Sequence, residues 1–292
     1  MIKDSKCVVF VCDKKYLEKF INTCSQLITI GKYDGQICLI IGDDLKDFEF
    51  NQIEIIRTLS NKLIIKHFNN INFSSDFLEV QNNLNRPGHW NQKMFQYHKF
   101  NLFDEFFKQW NYIMYIDCGM TIFDDITPIL NECYHGCFLA NRDGVDNENG
   151  TGLLIKDQFI DEGNYFEKLQ KLFGEKLNYH SFQTTMLLFD SKTNINKNTK
   201  NNLINLSLDY PISKTNDQGV INLYFSLINP VWRQIKRFNE KIYFYDYVPC
   251  VRNKYIMIKL ITDSHIDQGY VSNYIINYNK KNIYEKGHNM GL

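Results

Sequence analysis

The chain has little proline, 5 residues in 292, and no excess of either charge: 33 Lys+Arg balance 33 Asp+Glu. A balanced charge argues against a dedicated nucleic-acid binder, because affinity for phosphate backbones needs a basic surplus. It leaves room for a small anionic ligand held by a few local groups. No apolar run reaches the roughly 18–20 residues that span a bilayer. The run at 7–11 is too short for the apolar core of a secretory signal. The expectation is therefore a soluble, cytoplasmic protein with no transmembrane segment. There is no Gly-x-x-x-x-Gly-Lys-Ser/Thr loop, and no Gly-x-Gly-x-x-Gly follows the first strand signal. These absences argue against P-loop NTPases and dinucleotide oxidoreductases. None of the eight cysteines forms a Cys-x-x-Cys pair. The Cys133-x-His135-x-Cys137 cluster lacks a second pair, so it reads as a helix-to-strand turn with buried thiols rather than a zinc site.

What is present is a large apolar content, 44% hydrophobic and 15% aromatic, enough for a sizeable core. Residues 7–11 and 37–41 are continuous apolar runs of the kind buried in parallel strands. Between them Tyr16, Phe20, Cys24 and Leu27 recur at helical spacing. A third strand signal spans 61–68, giving βαβαβ and a parallel sheet with helices on both faces. A long helix is expected at 90–109, then a buried strand at 112–116 that stops at Asp117-Cys118-Gly119. A short strand at 121–123 precedes Asp125-Ile126-Thr127-Pro128, a helix start with proline in its first turn. Further strands are expected at 136–140 and 185–189, helices near 165–173, 196–208 and 217–227, and strand-like sequence at 241–262. Neither a repeat nor a linker divides the chain, so residues 1–292 read as one α/β domain with two subsites.

Asp117 is the most informative residue. A carboxylate just past the carboxyl end of a buried central strand sits where open α/β sheets bind ligands; the bland alternative is an aspartate that caps its own turn. The run from Lys99 through Pro128 resembles the core of the family 8 glycosyltransferases, the glycogenin-like and lipopolysaccharide-galactosyltransferase-like enzymes of the GT-A fold. Their pattern is a basic residue on a helix, a strand, Asp-x-Asp, a short strand and an Asp-Ile-x-Pro turn. Three further stretches are similar to family motifs in the same order. They are Cys12-Asp13-Lys14-Lys15-Tyr16-Leu17, Phe182-Gln183-Thr184-Thr185, and Asn216-Asp217-Gln218-Gly219-Val220-Ile221-Asn222. The last 70 or so residues match poorly.

The resemblance implies a mixed, mostly parallel sheet and transfer of a sugar from a nucleoside diphosphate sugar, UDP-linked, to a hydroxyl of a glycan, protein or lipid. It also implies retention of anomeric configuration. Residues 1–145 would form the nucleotide-sugar half and 146–292 the acceptor half. Tyr16 offers a flat face for stacking the base, and Asp13 could accept from base or ribose. Their alternatives are a helix-start aromatic and an N-cap. Lys99 matches the family's phosphate-contacting basic residue, with Lys93 a weaker candidate. A lysine among Phe95, Leu102, Phe103 and Phe106 must either snorkel or meet an anion. Asp143, Gln183, Asp217 and Gln218 match residues around the donor sugar and acceptor.

Asp117 would hold Mn²⁺ or Mg²⁺ beside the diphosphate, joined by His265, with His288 as the alternative histidine. The second aspartate of the family motif is Gly119 here, so one ligand for a hard cation is missing. The family's C-terminal Lys-Pro-Trp is also absent, and Thr185 stands where the family has glycine and would narrow the pocket. These departures motivate a second reading, a GT-A pseudoenzyme that binds nucleotide or glycan without turning it over. A nucleotidyltransferase on a related sheet is a third.

Overall fold

The computed structural model describes residues 5–53, 58–59, 61–84, 93–143, 153–235, 244–246 and 256–260. A seven-stranded sheet runs in the order β3-β2-β1-β4-β7-β6-β8. Its strands are β1 (Lys6–Cys12), β2 (Gln36–Ile41), β3 (Leu63–His67), β4 (Tyr112–Ile116), β6 (Phe138–Arg142), β7 (Phe182–Asp190) and β8 (Trp232–Gln234). The first four are parallel. β7 runs against both β4 and β6, and β8 is parallel to β6. The sheet is thus mixed and mostly parallel, as expected.

The apolar runs explain why these strands sit centrally. Val8, Phe10 and Cys12 join one buried cluster, while Cys7, Val9 and Val11 join the cluster on the opposite face. A strand covered on both faces needs no polar alternation. One cluster holds α1 (Leu17–Thr29) against the sheet through Phe20, Cys24 and Leu27. The other carries α2 (Ser75–Asn83) together with an aromatic nest of Phe103, Phe138, Phe189 and Phe225. Phe138 and Phe225 stack with centroids 4.0 Å apart, an arrangement worth about 0.5–1.5 kcal/mol beyond its buried area. Three further helices follow: α3 (Asn164–Phe173), α4 (Thr199–Asp209) and α5 (Asp217–Leu223), the last running into a π-turn at Tyr224–Ile228. A second sheet pairs β5 (Met120–Ile122) with β10 (Met257–Leu260), and β10 with β9 (Phe244–Asp246). No helix among the described residues is long and apolar enough to cross a membrane.

The expected long helix at 90–109 is not α-helical where it is described. It consists of two 3₁₀ segments, Met94–Phe103 and Glu105–Gln109. The break is Asp104, extended at φ −76° and ψ 145°, whose carboxylate accepts from Phe106 N at 3.1 Å. Each of the seven residues from Tyr97 to Phe103 is buried, so the sequence carries no stripe of one helical period to tell an α-helix from a 3₁₀ one, and the chain breaks at Asp104, whose carboxylate caps the second segment.

Candidate active site

Four strand ends converge on one edge of the sheet. β1 delivers Asp13, β2 delivers Asp43, β4 delivers Asp117 and β6 delivers Asp143. Because β7 is antiparallel, its beginning, Phe182 and Gln183, lies at the same edge. This is the edge at which open α/β sheets take ligands.

At its centre is a buried cation. Lys99 Nζ lies 3.3 Å from Asp117 Oδ1 and 3.2 Å from Asp217 Oδ2. It also donates to Thr184 Oγ1 at 3.3 Å, so its three donors have three acceptors. The lysine side chain is only 6% exposed and that of Asp217 2%. Burial alone would pull the ammonium down, but Asp117 and then Asp217 outweigh it and hold it above the ordinary lysine range. Asp217 is pushed up, first by burial and then by the Asp117 charge, against the opposing pull of Lys99. Tyr115 lies beneath, its ring 5.4 Å from Nζ and its hydroxyl donating to Asp117 Oδ1. Thr184 Oγ1 in turn donates to Asp217 Oδ2 at 3.2 Å.

Beside this cluster a second carboxylate is caged by amides. Asp143 Oδ2 accepts from Gln158 Nε2 and from Gln218 Nε2, each at 2.8 Å, and Oδ1 accepts from Gln183 Nε2. Gln218 Nε2 also donates to Gln158 Oε1 at 3.0 Å, and Gln218 Oε1 accepts from Thr184 N at 3.2 Å. The four expected sugar-side residues, Asp143, Gln183, Asp217 and Gln218, are therefore one hydrogen-bonded group joined through Thr184 to Lys99. Gln158, completely buried, belongs to it and was not anticipated from sequence. No motif surrounds it; it lies on a 3₁₀ turn, Ile155–Gln158, in an otherwise irregular stretch. Asn222, in the same sequence stretch as Asp217, clamps the start of β7: it accepts from Phe182 N at 2.7 Å and donates to Phe182 O at 2.8 Å.

The backbone that presents Asp217 is strained. Asn216, which caps α5, has φ 55° and ψ −119° and is buried. Non-glycine residues rarely adopt positive φ, and such strain gathers at functional sites. Asn216 Nδ2 donates to Gln96 Oε1 at 2.8 Å, and its Oδ1 accepts from Lys93 N at 3.3 Å. Lys93 Nζ reaches the Tyr16 hydroxyl at 3.3 Å. The candidate base loop after β1 is thereby linked to α5. Within that loop Asp13 Oδ1 accepts from Tyr16 N at 2.9 Å, the N-cap geometry named as its alternative. Burial pushes the Asp13 carboxyl up. Tyr16 is partly exposed, with Lys19 Nζ 4.8 Å from its ring centroid.

The end of β2 is also tied to this site. His98, next to Lys99, donates through Nε2 to Asn70 Oδ1 at 3.0 Å and accepts at Nδ1 from Asn101 Nδ2 at 3.3 Å. Asn70 Oδ1 also accepts from Asp43 N at 3.3 Å. Desolvation lowers the His98 pKa from 6.5 to about 4, so the ring is neutral near neutral pH.

Metal ligation tests differently. Gly119 removes one oxygen donor, and Asp117 Oδ1 is already engaged by Tyr115 and Lys99. Among the described residues no group of three or more His, Cys, Asp and Glu side chains could hold a metal ion. The described donor set thus does not fit a resident divalent cation. His265 and His288 lie outside the described residues.

No family model matches the sequence, and no curated protein matches it. Solved structures do match in fold. The chain is similar to galactosyltransferase LgtC in complex with donor and acceptor sugar analogs, at 12% identity and TM-score 0.60, covering 93% of this chain and 94% of that one. An active-site mutant of LgtC gives 11% identity and TM-score 0.62, covering 94% and 95%. The bifunctional glycosyltransferase WbbM gives 15% identity and TM-score 0.57; 90% of this chain is covered but only 47% of that one. The fold is that of a single-domain GT-A glycosyltransferase. It is the fold that LgtC also has.

Proposed function

We propose that this protein transfers a sugar from a nucleoside diphosphate sugar, UDP-linked, to a hydroxyl acceptor on a glycan, protein or lipid, with retention at the anomeric carbon. The observation that carries the reading is the buried Lys99 ammonium between Asp117 and Asp217 at the ligand-binding edge of the sheet. A fixed cation in a low-dielectric site stabilises negative charge far better than one in water. In this reading the diphosphate takes over one of the carboxylates' places on Lys99. Tyr16 stacks on the base and Asp13 lies within its reach. Gln183, Asp217 and Gln218 hold the sugar and acceptor, and Asp143 fixes the two glutamines. Residues 1–145 serve the donor and 146–292 the acceptor.

The chemistry is electrophilic. The bond from the anomeric carbon to the β-phosphate oxygen breaks, and its electron pair leaves with the diphosphate beside Lys99. The acceptor oxygen bonds to the anomeric carbon from the same face, and its proton passes to the departing phosphate oxygen. No separate general base is required. Mn²⁺ or Mg²⁺, expected from the resemblance, finds no complete ligand set among the described residues, and no step is assigned to it. A cytoplasmic setting, where thiols stay reduced, is part of the same proposal.

A second reading, a nucleotide- or glycan-binding module without turnover, draws on Gly119 and on Asp143, whose oxygens are both occupied by amides. A thermal-shift and turnover screen of nucleotide sugars separates the two. A donor that binds only the folded state raises the melting temperature under either reading. Only the transferase or its water-accepting side reaction releases nucleoside diphosphate; nucleoside monophosphate would point to nucleotidyl transfer.

A further inference from the structure

Two segments far apart in the sequence meet at the site: the 3₁₀ segment that carries Lys99 and the turn that opens α5 at Asp217. One tie between them is the ion pair of Lys99 with Asp217, at 3.2 Å. The residues beside that pair make a second, uncharged tie. Asn216 Nδ2 donates to Gln96 Oε1 at 2.8 Å, and Asn216 Oδ1 accepts from Lys93 N at 3.3 Å. A backbone N–H can only donate, so Lys93 fixes which way the Asn216 amide faces and leaves its donor for Gln96. Gln96 and Lys99 are three residues apart, and on a 3₁₀ helix such residues project from the same side. The two ties are thus neighbouring rungs between the same two segments.

Asparagine is an unfavourable choice for this backbone. The φ of 55° and ψ of −119° at Asn216 are those of the first central residue of a type II′ turn, and Gln218 N closes the turn on Thr215 O at 3.3 Å. Glycine is the ordinary occupant of that place, because a side chain is strained at positive φ. The rest of the turn is closely held. Ser213 Oγ donates to Asn216 O at 2.7 Å, and a Cβ at Gly219 would lie only 2.5 Å from Ser213 Oγ. Glycine at 216 would keep this shape without strain, but it could make neither side-chain bond to the Lys99 segment. What asparagine adds over glycine here is that brace.

We propose that Asn216 is a positioning residue that holds Asp217 in place against Lys99 while the ammonium is shared with the leaving diphosphate. Its effect on turnover rests on the transferase reading above. In that reading the diphosphate displaces one carboxylate from Lys99, so the ion pair by itself cannot keep the two segments in register during transfer. The Asn216–Gln96 bond carries no net charge and does not compete with the incoming anion. Asp217 and Gln218 then stay where the sugar and acceptor need them. The brace also meets the base loop, because Lys93, whose N–H is bonded to Asn216, places its Nζ 3.3 Å from the Tyr16 hydroxyl.

The test compares Asn216→Gly, Gln96→Leu and Gln96→Glu with wild type in the full chain, each shown folded by circular dichroism. Gln96→Glu keeps an acceptor for Asn216 Nδ2, and Gln96→Leu does not. UDP release from a panel of UDP-sugars should show kcat down on the order of 10²-fold in Asn216→Gly and Gln96→Leu, with donor KM changed far less. Gln96→Glu should recover most of that loss. A merely structural tie would lower stability and leave kcat of the folded protein alone. Acetylation of Lys99 by acetic anhydride, mapped by mass spectrometry, needs no turnover. It should run severalfold faster in Asn216→Gly and Gln96→Leu than in wild type, while the exposed Lys168 reacts equally in all. If wild type releases no UDP but Lys99 is unmasked in these two variants, the brace stands and the transferase reading falls. Lys99 acetylated at the wild-type rate in both folded variants would overturn the proposal, as would wild-type kcat in both, or Gln96→Glu no more active than Gln96→Leu.

Discussion

Gln218 and Asp143 meet at 2.8 Å, Nε2 donating to Oδ2, and this bond fixes which way the Gln218 amide faces. Its other Nε2 contact, to Gln158 Oε1 at 3.0 Å, acts in the same sense. The carbonyl oxygen is thereby turned toward Thr184 N. Gln158→Leu removes a donor from a buried carboxylate and an acceptor from Gln218. Urea unfolding should show a loss of about 1–3 kcal/mol. Turnover should fall on the order of 10²-fold through misplacement of Gln218, with donor KM little changed. Asp217→Ala and Gln218→Ala should depress turnover while UDP affinity, measured by calorimetry, stays near wild type. Loss of UDP binding in both folded variants would put them in the wrong subsite.

Tyr16 is the next residue to test. Base–aromatic stacking contributes ~1–3 kcal/mol by alanine substitution, and Tyr16 sits at the partly exposed mouth of β1. Tyr16→Ala should weaken UDP binding by that amount in calorimetry and leave the circular dichroism spectrum unchanged. Equal affinity would mean that the base docks elsewhere.

The sheet and the central lysine were legible in the sequence for the same reason: burial writes itself as apolar runs. The runs at 7–11, 37–41 and 112–116 all became central strands, and a charged Lys99 among aromatics had to meet an anion. The 3₁₀ segment around it was not legible, because burial of each residue from 97 to 103 erases the periodicity that distinguishes one helix type from another. Gln158 was invisible because it acts only through partners, Asp143 and Gln218, distant in sequence. Asn216 gave no warning of its positive φ either. Its side chain is tied to Gln96 and Lys93, which are distant in sequence, while Ser213 Oγ donates to its carbonyl.

His98 gives the fold a pH dependence of defined sign. Its folded pKa lies at about 4, below the ordinary 6.5, because the buried ring resists protonation. The unfolded chain therefore binds the extra proton between those two values, and stability falls as pH drops through that window. The full loss is about 3 kcal/mol. His98→Asn should flatten the stability slope between pH 6.5 and 4, measured by denaturant titration at several pH values. A variant with an unchanged slope would assign the acid sensitivity to other groups.

Gly119 sets the response to metal. The described glycines with positive φ are Gly136, Gly163 and Gly174, so Gly119→Asp meets no penalty of that kind. It should tighten Mn²⁺ binding in calorimetry, since a second carboxylate supplies an oxygen that a hard cation prefers. Wild type without nucleotide should bind Mn²⁺ weakly, and a chelator should reduce turnover only in part. Tight binding by the nucleotide-free wild type would reveal ligands beyond Asp117.

The charge of Lys99 can be tested most directly by UDP release from a panel of UDP-sugars in the presence of chelator, comparing wild type with Lys99→Met and Lys99→Arg. Both variants must first be shown folded, because removing the ammonium leaves Asp117 and Asp217 facing each other without their cation. Wild type should release UDP from a cognate donor. Lys99→Met should lose on the order of 10²–10³-fold in rate, the scale of one removed electrostatic donor in an acyl-transfer site. Lys99→Arg should recover part of that loss. A folded Lys99→Met that releases UDP at the wild-type rate would contradict the assignment of Lys99 to the leaving diphosphate.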